Sequence, residues 1–179
     1  MRASVPVLLV TGPVGVGKST VAVAAARLLR AANIPHALVD LAWIGQCWPV
    51  AANDPWNERL LHRNLACMWA NFQQAGADRL ILARVLEARS LLRHIVDAVP
   101  GAEVTVVRLR APLAVLRARI RSREAGDPGW FLDAAASTAV ALERAGVEDH
   151  LVDTENRPVT DVAGELLRLV GWLDAGAGP

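Results

Sequence analysis

The sequence contains no tyrosine and only two phenylalanines, two methionines and two cysteines. Two cysteines do not make a disulfide framework, and neither Cys47 nor Cys67 has a second cysteine or a histidine at metal-ligand spacing. Both read as small buried apolar residues, a usage that suits a reducing cytoplasm. No apolar run reaches the roughly 18 residues of a membrane span, because Gly, Arg or Asp cuts the longest ones. The first residues carry one Arg and then a Thr-Gly-Pro turn, which is not the pattern of a secretory signal. A cytoplasmic protein without a membrane partner is therefore expected. Charge of one sign is also lacking: 19 basic against 18 acidic residues leave a net charge of +1. A near-neutral chain has no basic field to neutralise phosphates, so nucleic acid is not an expected partner. With 53% apolar residues, disorder is excluded as the main state.

Lysine is the most telling shortage. Of the 19 basic residues only Lys18 is a lysine. Wherever a plain positive charge was needed the chain uses Arg, a flat fork, so the lone Lys marks a place where a compact point charge is required.

A chain of 179 residues is sized for one domain, placed over 1–174, with residues 175–179 as a frayed tail. Residues 5–11 form an apolar run that stops at Gly12 and read as a buried strand. A helix over 18–32 follows, then a strand from His36 to Val39 ending at Asp40. Residues 41–55 carry Gly45, Pro49, Asn53, Asp54 and Pro55 and read as a loop or broken helix. Residues 56–75 are helical, 79–86 a third strand, and the chain is helical again to about Ala98. A fourth strand spans 103–109. Pro112 opens a helix on which Leu113, Leu116 and Ile120 share a face. Gly126 to Gly129 interrupt it, and another helix runs to about Arg144. A short fifth strand at 150–152 and a helix at 159–173 complete the pattern. Strands alternating with helices imply an α/β fold whose parallel sheet is covered on both faces.

Residues 12–19, Gly-Pro-Val-Gly-Val-Gly-Lys-Ser, fit the phosphate-loop pattern G-x-x-x-x-G-K-[ST] without a mismatch. The motif follows a strand and opens a helix, as it must. Glycines let the backbone wrap an anion, successive N–H groups point inward, and the helix start adds its positive dipole end. Backbone groups of Gly12, Val14, Gly15, Val16 and Gly17, with Lys18, Ser19 and Thr20, are the candidates to hold a nucleotide. Lys18 would reach the β- and γ-phosphates, and Ser19 would place its hydroxyl on Mg²⁺. A G protein needs a base-reading Asn-Lys-x-Asp segment, which a chain whose only Lys is in the loop lacks. Larger ring-forming motors need more chain and an acidic pair after a strand, whereas Leu80-Ile81-Leu82-Ala83 runs into Arg84.

On the phosphate loop, Asp40 and Arg119-Ile120-x-x-Arg123, the chain resembles the nucleoside-monophosphate-kinase-like group of P-loop small-molecule kinases. That group includes shikimate, gluconate and adenylylsulfate kinases. In size and pattern the chain is most similar to chloramphenicol phosphotransferase and its relatives. The resemblance implies a P-loop NTPase three-layer sandwich with a five-stranded parallel sheet and a short lid, here residues 124–130. It implies an ATP-dependent transfer of the γ-phosphoryl group to a hydroxyl of a small-molecule acceptor, with ATP and Mg²⁺ as cofactors. Asp40, at the carboxyl end of the second strand, takes the place of the Asp that orients or deprotonates the acceptor and helps hold the metal; the alternative is a helix cap. Several relatives carry a second acid two residues later, where this chain has Ala42. Arg119 matches the position that packs on adenine, and Arg123 the one that reaches the transferring phosphate. Arg117 and Arg121 read as solvated. Arg157, after the fifth strand, borders the base in that group.

The acceptor is expected to bind between the second and third strands. Trp43, Trp48, Trp56 and Trp69 suit a flat or greasy molecule such as an antibiotic-like metabolite, a reading that competes with ordinary helix packing. Asn57, Arg63 and Asn64 would supply polar contacts, and Glu87 would assist after the third strand. Arg59, Arg63 and Arg84 would instead hold a phosphate if the acceptor were a nucleotide. His36, His62, His94 and His150 read as separate structural residues. A nucleoside or nucleotide kinase and a non-catalytic ATP-binding module are the alternatives.

Overall fold

A computed structural model describes residues 4–123 and 126–174. Five strands, β1 (Val5–Thr11), β2 (Ala37–Asp40), β3 (Leu80–Ala83), β4 (Ala102–Arg110) and β5 (His150–Asp153), form one parallel sheet in the order β2-β3-β1-β4-β5. Helices α1 (Lys18–Ala31), α2 (Leu41–Ile44), α3 (Glu58–Gln74), α4 (Leu92–Ala98), α5 (Leu113–Arg123), α6 (Gly129–Ala145) and α7 (Val159–Leu169) make the connections. A 3₁₀ turn at Arg89–Leu91 leads into α4. The frayed tail expected at 175–179 and the first two residues of the expected lid, 124–125, lie outside the described residues.

The unbroken apolar run of β1 is explained by its central position. Side chains alternate across a strand. Leu8 and Val10 enter one core with α1, α5 and α7, while Val5, Val7 and Leu9 enter a second core with α3 and α4. Ile81 and Ala83 of β3 divide from Leu80 and Leu82 in the same way. A strand buried on both faces cannot show polar alternation.

β3 is shorter than its apolar run suggested, four residues in place of 79–86. The pairing on both sides stops at its last residue: β2 ends at Asp40, opposite Ala83, and β1 pairs with Ala83 through Val10 before it turns after Thr11 into the phosphate loop. The chain stays tethered without a ladder. Arg84 N–H donates to Val10 O at 3.1 Å and Leu86 N–H to Thr11 Oγ1 at 2.9 Å. The expectation for the cysteines also fails. Cys47 lies in the loop after α2, Cys67 is on the outer side of α3, and both are exposed. Among the described residues no helix is long and apolar enough to cross a membrane.

Arg108 carries a buried charge within the second core. Its guanidinium donates to Glu143 at 2.9 Å and Glu148 at 2.7 Å, tying β4 to the end of α6 and the turn beyond it. Leaving it unpaired there would be costly, which accounts for the two carboxylates.

Candidate active site

In an open parallel sheet the carboxyl ends of the strands collect the functional groups. Here β1 and β4 separate from their connections at that edge, and the phosphate loop fills the gap between β1 and α1. Gly15 shows how tightly the loop is placed: it has φ +84°, and a Cβ there would lie 2.8 Å from Ile120 Cγ1 and 3.2 Å from Leu116 O. Helix α5 therefore rests directly on the loop, with Leu116 and Ile120 buried beneath. That contact brings Arg119 and Arg123 to the site.

Lys18 folds over the loop and donates from Nζ to Gly12 O and Pro13 O, each at 3.0 Å. Burial lowers its pKa from 10.5 to about 8; the nearby Asp40 carboxylate works against that shift and the Arg123 guanidinium adds to it. Asp40 and Arg123 are thus both within electrostatic reach of Lys18. Asp40 divides its oxygens. Oδ2 accepts a hydrogen bond from the Ser19 hydroxyl, and Oδ1 accepts from Ala42 N–H at 3.0 Å, capping α2. The cap is therefore present, and the other oxygen of the same side chain meets Ser19 of the phosphate loop. Ser19 and Asp40 together present adjacent hard oxygens, the donor set Mg²⁺ prefers alongside phosphate and water.

Arg119 is a bracket. Its Nη1 donates to Val16 O at 3.0 Å and Thr154 Oγ1 at 2.9 Å, and its Nη2 to Thr154 O at 2.8 Å. One flat fork therefore joins the phosphate loop to the segment after β5. Beside it a cleft of about 290 Å³ is lined by Gly15, Gly17, Thr20, Arg123, Arg157 and Val159, among others. Its mixed apolar and cationic wall is suited to a base and its phosphates. Arg157 is held there by Asp153 O at 3.0 Å and Glu165 at 2.6 Å. The sequence places Thr154 in the loop after β5 but carries no signal for its link to Arg119, 35 residues away. Arg123 lies 5.8 Å from the Phe131 ring centroid on α6. Arg117 and Arg121 are exposed, as read. A larger hollow of about 410 Å³, near Arg79, Glu103 and Trp172, sits at the amino ends of the strands, away from this chemistry.

The segment between β2 and β3, where the acceptor was expected, differs more from expectation. Trp43, Trp48 and Trp56 are exposed, but Trp69 is fully buried in the second core, since α3 turns that face to the sheet. Asn64 Nδ2 donates to Ile44 O at 2.7 Å and Asn57 Nδ2 to Cys47 O at 3.1 Å, so both hold the loop in place. Arg84 pairs with Glu58 at the start of α3, and Arg59 Nη2 donates to Asn53 O at 3.2 Å. Arg63 and Glu87 are exposed. The histidines are not all separate: the His62 and His94 rings stand 5.0 Å apart, where α3 meets α4. Burial pushes His62 down from its usual pKa, with the Arg84 and His94 charges acting the same way.

A family model described as an AAA domain matches residues 8–131, from within β1 into α6. The chain belongs to this AAA-domain family of P-loop proteins. The family match covers the phosphate loop, Asp40, the segment between β2 and β3, Arg119 and Arg123 alike. No curated protein matches the sequence. Solved structures do: the tunicamycin resistance protein of Deinococcus radiodurans, at a TM-score of 0.65 and 20% identity over 94% of this chain and 97% of that one. A gluconokinase from Sinorhizobium meliloti follows at 0.60 and 20%, over 94% and 93%. A shikimate kinase from Bacteroides thetaiotaomicron stands at 0.59 and 16%, over 94% and 99%. At these identities the likeness establishes the fold, that of the P-loop small-molecule kinases.

Proposed function

We infer that this family member is an ATP-dependent kinase that transfers the γ-phosphoryl group to a hydroxyl of a small acceptor, in a reducing cytoplasm. The observation that carries the reading is the convergence of Lys18, Ser19, Asp40 and Arg123 on the mouth of the phosphate loop. On this reading, loop N–H groups from Gly12 to Thr20 cradle the phosphates, and Lys18 leaves the Gly12 and Pro13 carbonyls to meet the β- and γ-oxygens. Arg119 and Arg157 border the base. Ser19 and Asp40 would hold Mg²⁺, which when bound offsets charge on the phosphates. Asp40 then orients the acceptor hydroxyl and takes its proton, and Arg123 stabilises the oxygens of the moving phosphoryl group. Phosphoryl transfer asks mainly for such positioning and electrostatics.

The test is ADP release across a panel of small alcohols by wild type and Asp40→Asn. The reading expects acceptor-dependent release that falls at least about 100-fold in the variant while ATP still binds. Equal rates would instead fit a nucleotide-binding module without acceptor chemistry.

A further inference from the structure

Helix α6 passes from one core of the molecule to the other. Phe131, Ala135, Thr138 and Leu142 recur at the spacing of successive turns and share one face of it. Phe131 packs against the first core and Ala135 is buried within it, while Leu142 is buried in the second. Thr138 falls between the two, at the phosphate loop. Beyond Leu142 the helix is anchored by the ion pair of Glu143 with Arg108 at 2.9 Å.

Thr138 Oγ1 accepts a hydrogen bond from Val14 N–H at 3.4 Å and donates its own proton to Ala134 O at 2.5 Å. Threonines on many helices make the second of these bonds, back to the preceding turn. The first is not local, since it spans 124 residues. The peptide group it engages is held at both ends. The N–H of Val14 meets Thr138, and the carbonyl of the same peptide unit, Pro13 O, accepts from Lys18 Nζ at 3.0 Å. A peptide unit is planar, so fixing its N–H also aims its carbonyl. Thr138 therefore steadies the peptide on which the loop lysine rests. Alanine at 138 would favour the helix more, so the hydroxyl is explained by the loop and not by α6 itself.

The same helix face reaches Arg123, whose guanidinium lies 5.8 Å from the Phe131 ring centroid, in the range of a cation–π contact. Phe131 and Thr138 are two turns apart, roughly 10 Å along the axis. One rigid element thus touches Arg123 with one turn and the phosphate loop with another.

We propose that Thr138 is a positioning residue for the γ-phosphoryl group: through the Pro13–Val14 peptide it sets where the phosphate loop and Lys18 stand relative to Arg123. This rests on the kinase reading, in which Lys18 and Arg123 meet that group from two sides.

The experiment is calorimetry on the full chain with Mg·ADP and with Mg·AMPPNP, whose affinity ratio reads the contacts to the third phosphate. Wild type should prefer AMPPNP. Thr138→Val, which keeps the shape and loses the hydroxyl, should cut that preference about fivefold, while ADP affinity stays within about twofold. Thr138→Ser should restore it. Thr138→Ala should behave as Thr138→Val does, although alanine favours the helix, so the effect will not follow the melting temperature. Arg123→Ala should also lose the preference, and adding Thr138→Val to it should remove little more, because the two act on one arrangement. An unchanged preference in Thr138→Val and Thr138→Ala would overturn the proposal, as would affinities for both nucleotides that fall together with the melting temperature. The levels separate. If wild type prefers AMPPNP and only Arg123→Ala loses the preference, the kinase reading stands and this inference falls. If wild type binds both nucleotides equally, this inference falls; if it binds neither, both fall.

Discussion

Ser19 and Asp40 are joined by a hydrogen bond from the serine hydroxyl to Oδ2 of the aspartate, across the gap between the start of α1 and the end of β2. Because Oδ1 is already committed to Ala42 N–H, one carboxylate caps α2 with one oxygen and meets the phosphate loop with the other. The two duties separate on substitution. Asparagine caps a helix about as well as aspartate, so Asp40→Asn should change stability by no more than about 0.5 kcal/mol, while Asp40→Ala should cost about 1 kcal/mol. Phosphoryl transfer should be lost in both. Thermal denaturation beside an ADP-release assay measures both, and a large loss of stability in Asp40→Asn would contradict the division.

Arg119 should be worth more than its charge. Arg119→Lys keeps the charge but cannot span Val16 O and Thr154 together. It should cost about 1–3 kcal/mol of stability, because hydrogen bonds to a charged group are broken at a part-buried site. ATP affinity should fall with it as the loop loses its brace. Thr154→Val should cost about 1 kcal/mol, and a double-mutant cycle should show the two losses to be non-additive.

Lys18 predicts a pH dependence. Its pKa in the folded chain, about 8, is below the unfolded 10.5. Between those values the unfolded chain binds more protons, so this group's contribution to stability rises as pH goes from about 8 to 10.5 and is at its least below 8. Nucleotide affinity has the opposite sign. The phosphates need the charged ammonium, so Mg·ATP binding should weaken above about pH 8, with proton uptake visible in buffers of different ionisation enthalpy. Lys18→Arg should bind more weakly without that fall. A flat affinity profile to pH 9.5 in the wild type would contradict the assignment.

Two loop glycines should respond differently to alanine. At Gly15 the added methyl meets Ile120 and Leu116 O, so Gly15→Ala should destabilise by about 1–3 kcal/mol through overpacking, besides its backbone strain. At Gly17 the space is open and only φ +101° opposes the change, so Gly17→Ala should cost about 1–2 kcal/mol. Chemical denaturation of the two variants ranks them.

The phosphate loop and Asp40 were legible in the sequence because each is local: a contiguous motif, and a carboxylate that ends an apolar strand. The parallel sheet covered on both faces followed from apolar runs alternating with helical ones for the same reason, whereas the order β2-β3-β1-β4-β5 rests on pairings between distant segments. What could not be read depends on contacts between distant residues. Arg84 looked available until Glu58, 26 residues earlier, came to face it. Asn64 looked like a substrate contact until Ile44 O came within reach. The length of β3 was set by where its neighbours ended, and the His62–His94 approach by how α3 packs on α4. The exposure of Cys47 and Cys67 depends on which side of a loop and a helix each one falls, and composition does not carry that.

The most direct measurement is calorimetric titration of Mg·ATP into wild type and Lys18→Ala. The account predicts saturable binding by the wild type at one site per chain, and an affinity at least about tenfold lower in the variant, where the charge-assisted contacts to phosphate are gone. Equal affinities, or no binding to the wild type, would contradict it.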